Sequence, residues 1–392
     1  MSSLPKSSAD PAGPTPSASS AHPDETYVLE APDGSRPFDA TALENDLRSM
    51  WKRVGGADST KTGAIYRAAL ANLVVPVDPE LTAKLTPVLV DVTRRHPSRL
   101  FSIESDSTPR GAGLRARVGA LCHRRESGGG LVCSEQVVVD SDAESASLIP
   151  SAVRSLLIGD LPTVLLDFHP GLDRPWVSEL MDMADLVLED SCLKEPGKEP
   201  EVWHLLEREG SRKFHDLAWA RLTPWRETLA EVFDRKDCLP ALRTLRRIEI
   251  GFTGAADGFP PPPVWLLVGW LASRLGWKPE GGDRTGLTLR SETGAVTIVM
   301  RGLGYGEGRV LERIGLRSDE PHPLDLEIVH RGRDATARVS TRAPRASSME
   351  VPFGYREFAA CIVGELHRHA ANPPFEAAAR AAEALMRCWK RP

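Results

Sequence analysis

Apolar positions first become periodic where Leu43, Leu47, Met50, Trp51 and Val54 fall on one face of a helix, with Thr41 to Glu44 as a capping box and Gly55-Gly56 as the stop. An apolar run from Ala68 to Val77 predicts a strand. Asp78-Pro79 then opens a second helix, with Leu81, Leu85, Val88, Leu89 and Val92 on its stripe. His96-Pro97 closes that helix, because the residue before a proline avoids helical geometry. Arg99 to Ile103 predicts the next strand, so the span reads as a βαβ unit with parallel strands. Arg115 to His123 and Leu131 to Val139, on either side of a Gly128-Gly-Gly130 loop, predict an antiparallel hairpin added to the parallel part. The rhythm continues as a helix through Leu148 to Leu157, a strand at Thr163 to Phe168, a helix from Pro175 to Met183 and a strand at Asp185 to Glu189.

Between Asp190 and Ser211 the pattern weakens to Lys194 to Pro200 and a short helix around Trp203 to Arg208, which places a boundary there. Residues 26–210 are expected to form an α/β domain with a mixed, largely parallel sheet, and residues 211–392 an α+β domain. In the second, Thr223-Pro224 starts a helix to Phe233, Leu245 to Phe252 is a strand, and Val264 to Leu275 is a strongly apolar helix. Gly286 to Ser291, Ala295 to Arg301, Arg309 to Arg317, Leu324 to Arg331 and Thr336 to Thr341 follow at hairpin spacing and predict an antiparallel meander. Helices Tyr355 to His369 and Phe375 to Trp389 are expected to cover one of its faces. Residues 1–25 are dominated by Ser, Ala and Pro, bury too little apolar area to offset the cost of ordering, and read as a disordered tail.

Composition adds exclusions. In 392 residues, 41% hydrophobic and 26% charged is ordinary for a globular chain with two cores. A formal charge of -5 without a dense Lys/Arg run argues against a nucleic acid or anionic membrane partner. The most apolar segment, Ala152 to Phe168, is broken by Arg154, Gly159-Asp160 and Pro162, whereas a membrane span needs ~20 mostly apolar residues. With no apolar core to a secretory signal in Met1 to Pro23, a cytoplasmic protein is expected. The six cysteines show neither a Cys-x-x-Cys pair nor zinc-finger spacing, so most read as reduced and buried, and no metal or other cofactor is implied.

For catalysis, Asp167-Phe-His169 stands out at the end of a predicted parallel strand, where α/β folds place ligands. The pair suits acid–base work on a sugar phosphate, but no third ligand or nucleophile accompanies it, and Pro170-Gly171 makes a turn there in any case. The stretch Gly56 to Thr62 has Thr60 where a phosphate loop needs glycine before Lys61, and Gly302, Gly304, Gly306 and Gly308 lead into a strand and not a helix. Among ten histidines only His367 and His369 are close, and a spacing of two does not share a helical face. Trp219 and Trp225 beside Arg221 and Arg226, around a proline-initiated helix, fit two readings. One is a protein interface, where such residues combine apolar area with forked donors; the other is the core of a domain junction.

The string Asp216-Leu-Ala-Trp-Ala-Arg-Leu-Thr-Pro-Trp-Arg226 does not stand alone. With His96-Pro-Ser-Arg99, Cys133-Ser-Glu135, Leu156-Leu-Ile-Gly-Asp-Leu-Pro162, Ala184-Asp185, Asp190-Ser191 and Gly269-Trp-Leu-Ala-Ser-Arg-Leu275 it resembles the OpcA family of glucose-6-phosphate dehydrogenase assembly proteins, from about Leu81 to Leu275. The resemblance implies a non-catalytic partner that binds this dehydrogenase, promotes its active oligomer and activates it, supporting NADPH production in the oxidative pentose phosphate pathway. Under that reading, contact is expected through Trp219, Arg221, Trp225 and Arg226, with His96, Arg99 and Asp160 as second candidates. After Asp160-Leu-Pro162 the family carries a tryptophan pair, whereas Val164-Leu-Leu-Asp-Phe168 stands here. Some photosynthetic members are linked to thioredoxin control, which directs attention to Cys122 and Cys133, on adjacent strands of the predicted hairpin and close enough for a disulfide.

Overall fold

A computed structural model describes residues 26–30, 34–56, 64–77, 79–106, 108, 111, 113–124, 130–168, 174–193, 203, 214–253, 259–283, 286–304, 311–330, 336–343, 345–354, 357–368 and 370–389. The Ser/Ala/Pro-rich tail, residues 57–63, Gly128, Gly129, His169 to Gly171, Lys194 to Pro200, the stretch after Trp203, Gly306, Gly308 and His369 lie outside them.

The chain forms two sheets. The first contains β1 (Thr26–Glu30), β2 (Arg36–Pro37), β3 (Ala64–Arg67), β4 (Asn72–Val77), β5 (Arg99–Ser105), β6 (Arg115–Arg124), β7 (Gly130–Ser141), β8 (Thr163–Asp167), β9 (Leu186–Glu189) and β10 (Phe214–Asp216), in the order β1-β6-β7-β5-β4-β8-β9-β10, with β2 beside β6 and β3 beside β7. From β7 to β10 all neighbours are parallel, while β6–β7 and β1–β6 are antiparallel. This is the mixed, largely parallel sheet that the periodicity predicts. β4 and β8 are buried at every position, as expected for parallel strands covered on both faces.

Helices α1 (Ala40–Gly56), α3 (Ile149–Leu156) and α4 (Pro175–Met183) cover one face, where Leu43, Leu47 and Met50 pack with Val74, Phe101, Leu165 and Trp176. The crossover helix α2 (Pro79–Arg95) covers the other, placing Leu85, Leu89 and Val92 against Leu73, Leu100 and Leu166. One local detail differs from the sequence reading. Asp39, not Thr41, caps α1: its Oδ1 accepts the Ala42 N–H at 2.9 Å. Glu44 turns instead to Arg99, at 2.7 Å. A buried arginine outcompetes a solvated capping box for that carboxylate.

The second sheet contains β11 (Leu245–Phe252), β12 (Lys278–Asp283), β13 (Gly286–Ser291), β14 (Gly294–Gly302), β15 (Leu311–Ser318), β16 (Leu324–Val329), β17 (Thr336–Ala343) and β18 (Ser347–Pro352), in the order β12-β13-β14-β11-β15-β16-β17-β18. The meander is interrupted once: β11 sits between β14 and β15, parallel to the first and antiparallel to the second. Residues 303–310 are long enough to step over one strand, which hairpin spacing could not reveal. Its inner face packs against α7 (Pro262–Leu275), α6 (Thr223–Phe233) and α9 (Pro373–Cys388). The two helices α7 and α9 cross so closely at Gly269 that a Cβ there would lie 2.2 Å from the Ala378 carbonyl oxygen.

The helix α8 (Phe358–Leu366) does not join that layer. It returns to the first sheet, where Ala359, Ile362 and Leu366 pack with Val92 of α2 and with Leu217 and Ala220 of the short helix α5 (Leu217–Arg221). This corrects the expectation that both C-terminal helices cover the meander, because an apolar stripe shows that a helix must be covered but not by which sheet. The first sheet itself runs on to Asp216.

Candidate functional site

The Trp/Arg motif begins where β10 ends. Asp216 caps α5, its Oδ1 accepting from Ala218 N at 2.8 Å and from Ser191 N at 3.2 Å, while its Oδ2 accepts from Trp203 Nε1 at 3.0 Å. Burial, and secondarily the neighbouring Asp190, raise the Asp216 pKa, which the three donated hydrogen bonds oppose. Arg221, at the end of α5, grips Asp190 with both guanidinium nitrogens, at 2.6 and 3.1 Å. Burial, the largest single influence, works against the Arg221 charge, but Asp190 together with Cys192, Cys361 and Asp216 outweighs it and the guanidinium pKa lies above its ordinary value. The other side of Arg221 lies 5.5 Å from the ring centre of Phe358. The nearby Cys192 thiol is pushed up by burial and is not a reactive thiolate.

Trp219 is 1% exposed and lies between the Arg226 guanidinium, 3.5 Å from its ring centroid, and Phe375 of α9, at 5.8 Å. Trp225 is 4% exposed and meets Phe353 edge-on at 5.0 Å and His330 at 6.2 Å. The four residues therefore come together, but at a seam. Arg221 reaches back to the first sheet and α8, Trp219 reaches α9, and Trp225 reaches the second sheet. A second tie crosses nearby: His215 Nδ1 is 2.7 Å from Glu365 Oε2 of α8, and its Nε2 is 3.2 Å from the Ala370 carbonyl.

Arg99 is buried in the first sheet, and His96, in the turn between α2 and β5, is buried with its ring 5.4 Å from that of His367 at the end of α8. Arg99 binds Glu135 at 2.7 and 2.8 Å, Glu44 at 2.7 Å and the Leu156 carbonyl at 2.5 Å. Trp51 Nε1 and Arg67 complete the Glu135 carboxylate, each at 2.7 Å. Ser98 N donates to Ser134 Oγ at 3.1 Å, and Ser98 also meets His96 Nδ1 at 3.1 Å. The strings His96 to Arg99 and Cys133 to Glu135 are thus two halves of one buried network. Asp160 alone among the expected contact residues is exposed, on the turn after α3. Cys122 and Cys133 face each other across β6 and β7 and are disulfide-bonded, both fully buried.

Asp167 is buried at the end of β8, level with Glu189 and Asp216 on the next two strands, while His169 lies outside the described residues. Val164 to Leu166, which stand near the family's tryptophan pair, are fully buried in the sheet's interior. Among the described residues there is no group of His, Cys, Asp and Glu arranged to hold a metal ion, and no helix long and apolar enough to cross a membrane. Sequence reasoning missed Asp190 and Asp216 as the partners that organise the motif. The signal was present in an acid at a helix N-cap that opens the motif itself.

Fold and seam define a two-sheet protein, α/β followed by α+β, whose signature residues fasten its own parts to one another. Residues 90–203 match the family described as glucose-6-phosphate dehydrogenase subunit N-terminal domain, residues 212–379 match the corresponding C-terminal domain, and the chain belongs to this OpcA family. A relative named OxPP cycle protein OpcA, from Nostoc punctiforme, is 31% identical over 202 residues, which cover 49% of this chain and 42% of that protein. A relative of the same name from Synechococcus elongatus is 25% identical over 306 residues, covering 74% and 63%. The chain spans less than two thirds of the length of these relatives. Among solved structures, a 3-ketoreductase from Actinomadura kijaniata aligns over 83% of this chain and 98% of its own, with 13% identity and a TM-score of 0.48.

Proposed function

We propose that this chain is a non-catalytic assembly factor and allosteric activator of glucose-6-phosphate dehydrogenase, acting in the cytoplasm and supporting NADPH production by the oxidative pentose phosphate pathway. The observation that carries the reading is the succession of both dehydrogenase-subunit domains along one chain. The buried motifs are compatible with it, since they fasten the two sheets of the chain to each other. Such a protein works by binding the competent state of its partner better than the other state, and couplings of ~1–3 kcal/mol suffice.

The test is to assay glucose-6-phosphate dehydrogenase from the same organism with and without the purified chain, while measuring the mass of the enzyme in solution. A lower substrate KM or a larger active oligomer supports the reading. Unchanged kinetics with no complex formed rejects it.

A further inference from the structure

Of the expected contact residues, His96, Arg99, Trp219 and Trp225 are internal, which leaves room for a larger docking area elsewhere on the surface. The second sheet supplies one. On β13, β14, β16 and β17 burial alternates, and on β15 it does so from Arg313 onward, past an irregularity opposite Gly251 and Phe252. Leu287, Leu289, Val296, Ile298, Ile314, Leu316, Leu326 and Ile328 face the helices, and the side chains between them on each strand are half-exposed or exposed. The outward positions of β11 and β13 to β18 carry Arg247, Arg290, Arg301, Arg313, Arg317, Arg338 and Arg342 against Glu249, Asp325, Glu327 and Glu350. Most of these arginines are paired on the face, Arg247 with Glu249, Arg290 with Glu280, Arg313 with Glu327, Arg317 and Arg342 with Asp325 and Arg338 with Glu350. Their excess over the acids leaves a positive surplus to which Arg301 contributes.

One row is built differently from the others. Arg301 and Arg313 sit on the two strands flanking Gly251, in register with it. Leu303 is held by its N–H to the Phe252 carbonyl at 2.8 Å and lies over Gly251, 50% exposed. A Cβ at position 251 would come within 2.8 Å of the Leu303 Cδ1 and push it away. An apolar side chain seated in a gap between two arginines has the make-up of an interface anchor. The eight strands, spaced ~4.8 Å, with outward runs of about six residues at ~3.3 Å each, offer roughly 700 Å². A standard interface buries ~800 Å² on each partner.

The geometry points to the open face of the second sheet, centred on Arg301, Leu303 and Arg313, as the docking surface for a carboxylate-bearing patch of the partner dehydrogenase. The inference rests on the proposed function and names the surface that performs it. Forked guanidinium donors match carboxylates in pairs: Arg301 is offered to the partner, Arg313 is shared between Glu327 and the partner, and Leu303 supplies the apolar contact beside them.

The experiment titrates the dehydrogenase with the full chain by calorimetry at two salt concentrations, comparing Arg301→Glu/Arg313→Glu, Leu303→Asp and a control, Arg48→Glu/Lys52→Glu, on the exposed side of α1. Thermal melts check that each variant folds. Affinity is expected to fall at least ten-fold in the first two variants, to stay unchanged in the control, and to weaken with salt. Failure of the unaltered chain to bind removes the functional reading and the inference with it. Binding by the unaltered chain that the first two variants match removes only the docking surface. If those variants abolish self-association of the chain but leave dehydrogenase binding intact, the face belongs to a second copy and the inference is overturned.

Discussion

The two sheets solve opposite problems. The first is covered on both faces and holds polar side chains inside with dense networks of partners: Arg99 with Glu135, Glu44 and the Leu156 carbonyl, Asn72 with the Ile158 and Leu161 carbonyls. The second is covered on one face and presents arginines on the other. Most of the strings by which the chain resembles its family lie in the first sheet or at the seam. Their roles there are capping, pairing and close packing. A recognisable motif is therefore evidence of scaffold here, and the surface available to a partner lies where the sequence shows only alternation.

The sharpest way to break this contrast is to remove Arg99. Arg99→Ala removes both nitrogens that hold Glu135 Oε2 and leaves this buried carboxylate only Arg67 and Trp51, at Oε1, so a stability loss of ~3–5 kcal/mol in urea titrations is expected. A loss below ~1 kcal/mol would mean that the network is not closed to solvent. Trp225→Ala comes next. Its ring is enclosed by Phe353 and His330, so unfolding free energy should fall by ~3 kcal/mol or more, whether or not the dehydrogenase is present. A stable variant that failed only in binding would return Trp225 to the interface.

A smaller effect concerns pH. Burial, and after it the nearby Arg94 charge, lower the His123 pKa from 6.5 to about 4. The unfolded chain thus takes up the proton first, and stability should decline as pH falls from 6.5 towards 4. Chemical denaturation across that range should show a flatter profile for His123→Gln. The smallest effect belongs to the open face: Arg301→Ala or Arg313→Ala should change stability by less than ~0.5 kcal/mol, and a larger loss would make that face part of the scaffold as well.

Much of this was legible beforehand. The βαβ unit, the hairpin of β6 and β7, and the helices α4, α6 and α7 follow from periodicity, because each must bury one face and ends at a proline, glycine or cap. That Cys122 and Cys133 lie on adjacent strands was legible, whereas the register that sets them opposite each other came from the fold. The Trp219 group was legible as important but not as a seam, since a buried tryptophan and an interface tryptophan have the same sequence.

By itself, the sequence determined the long helices, the interior strands, the succession of two sheets and the family, all of which depend on local spacing or on strings read in order. It did not determine the strands β1, β2, β3, β10, β12 and β18, whose patterns are too short or too polar to stand out. Tertiary structure alone decided that β11 enters the middle of a meander and that α8 returns to the first sheet. It also decided that His96, Arg99, Trp219 and Trp225 face inward while Arg301, Leu303 and Arg313 face out. Those outcomes depend on which distant surfaces meet, and hydrophobic patterning specifies that a face must be covered without specifying by what.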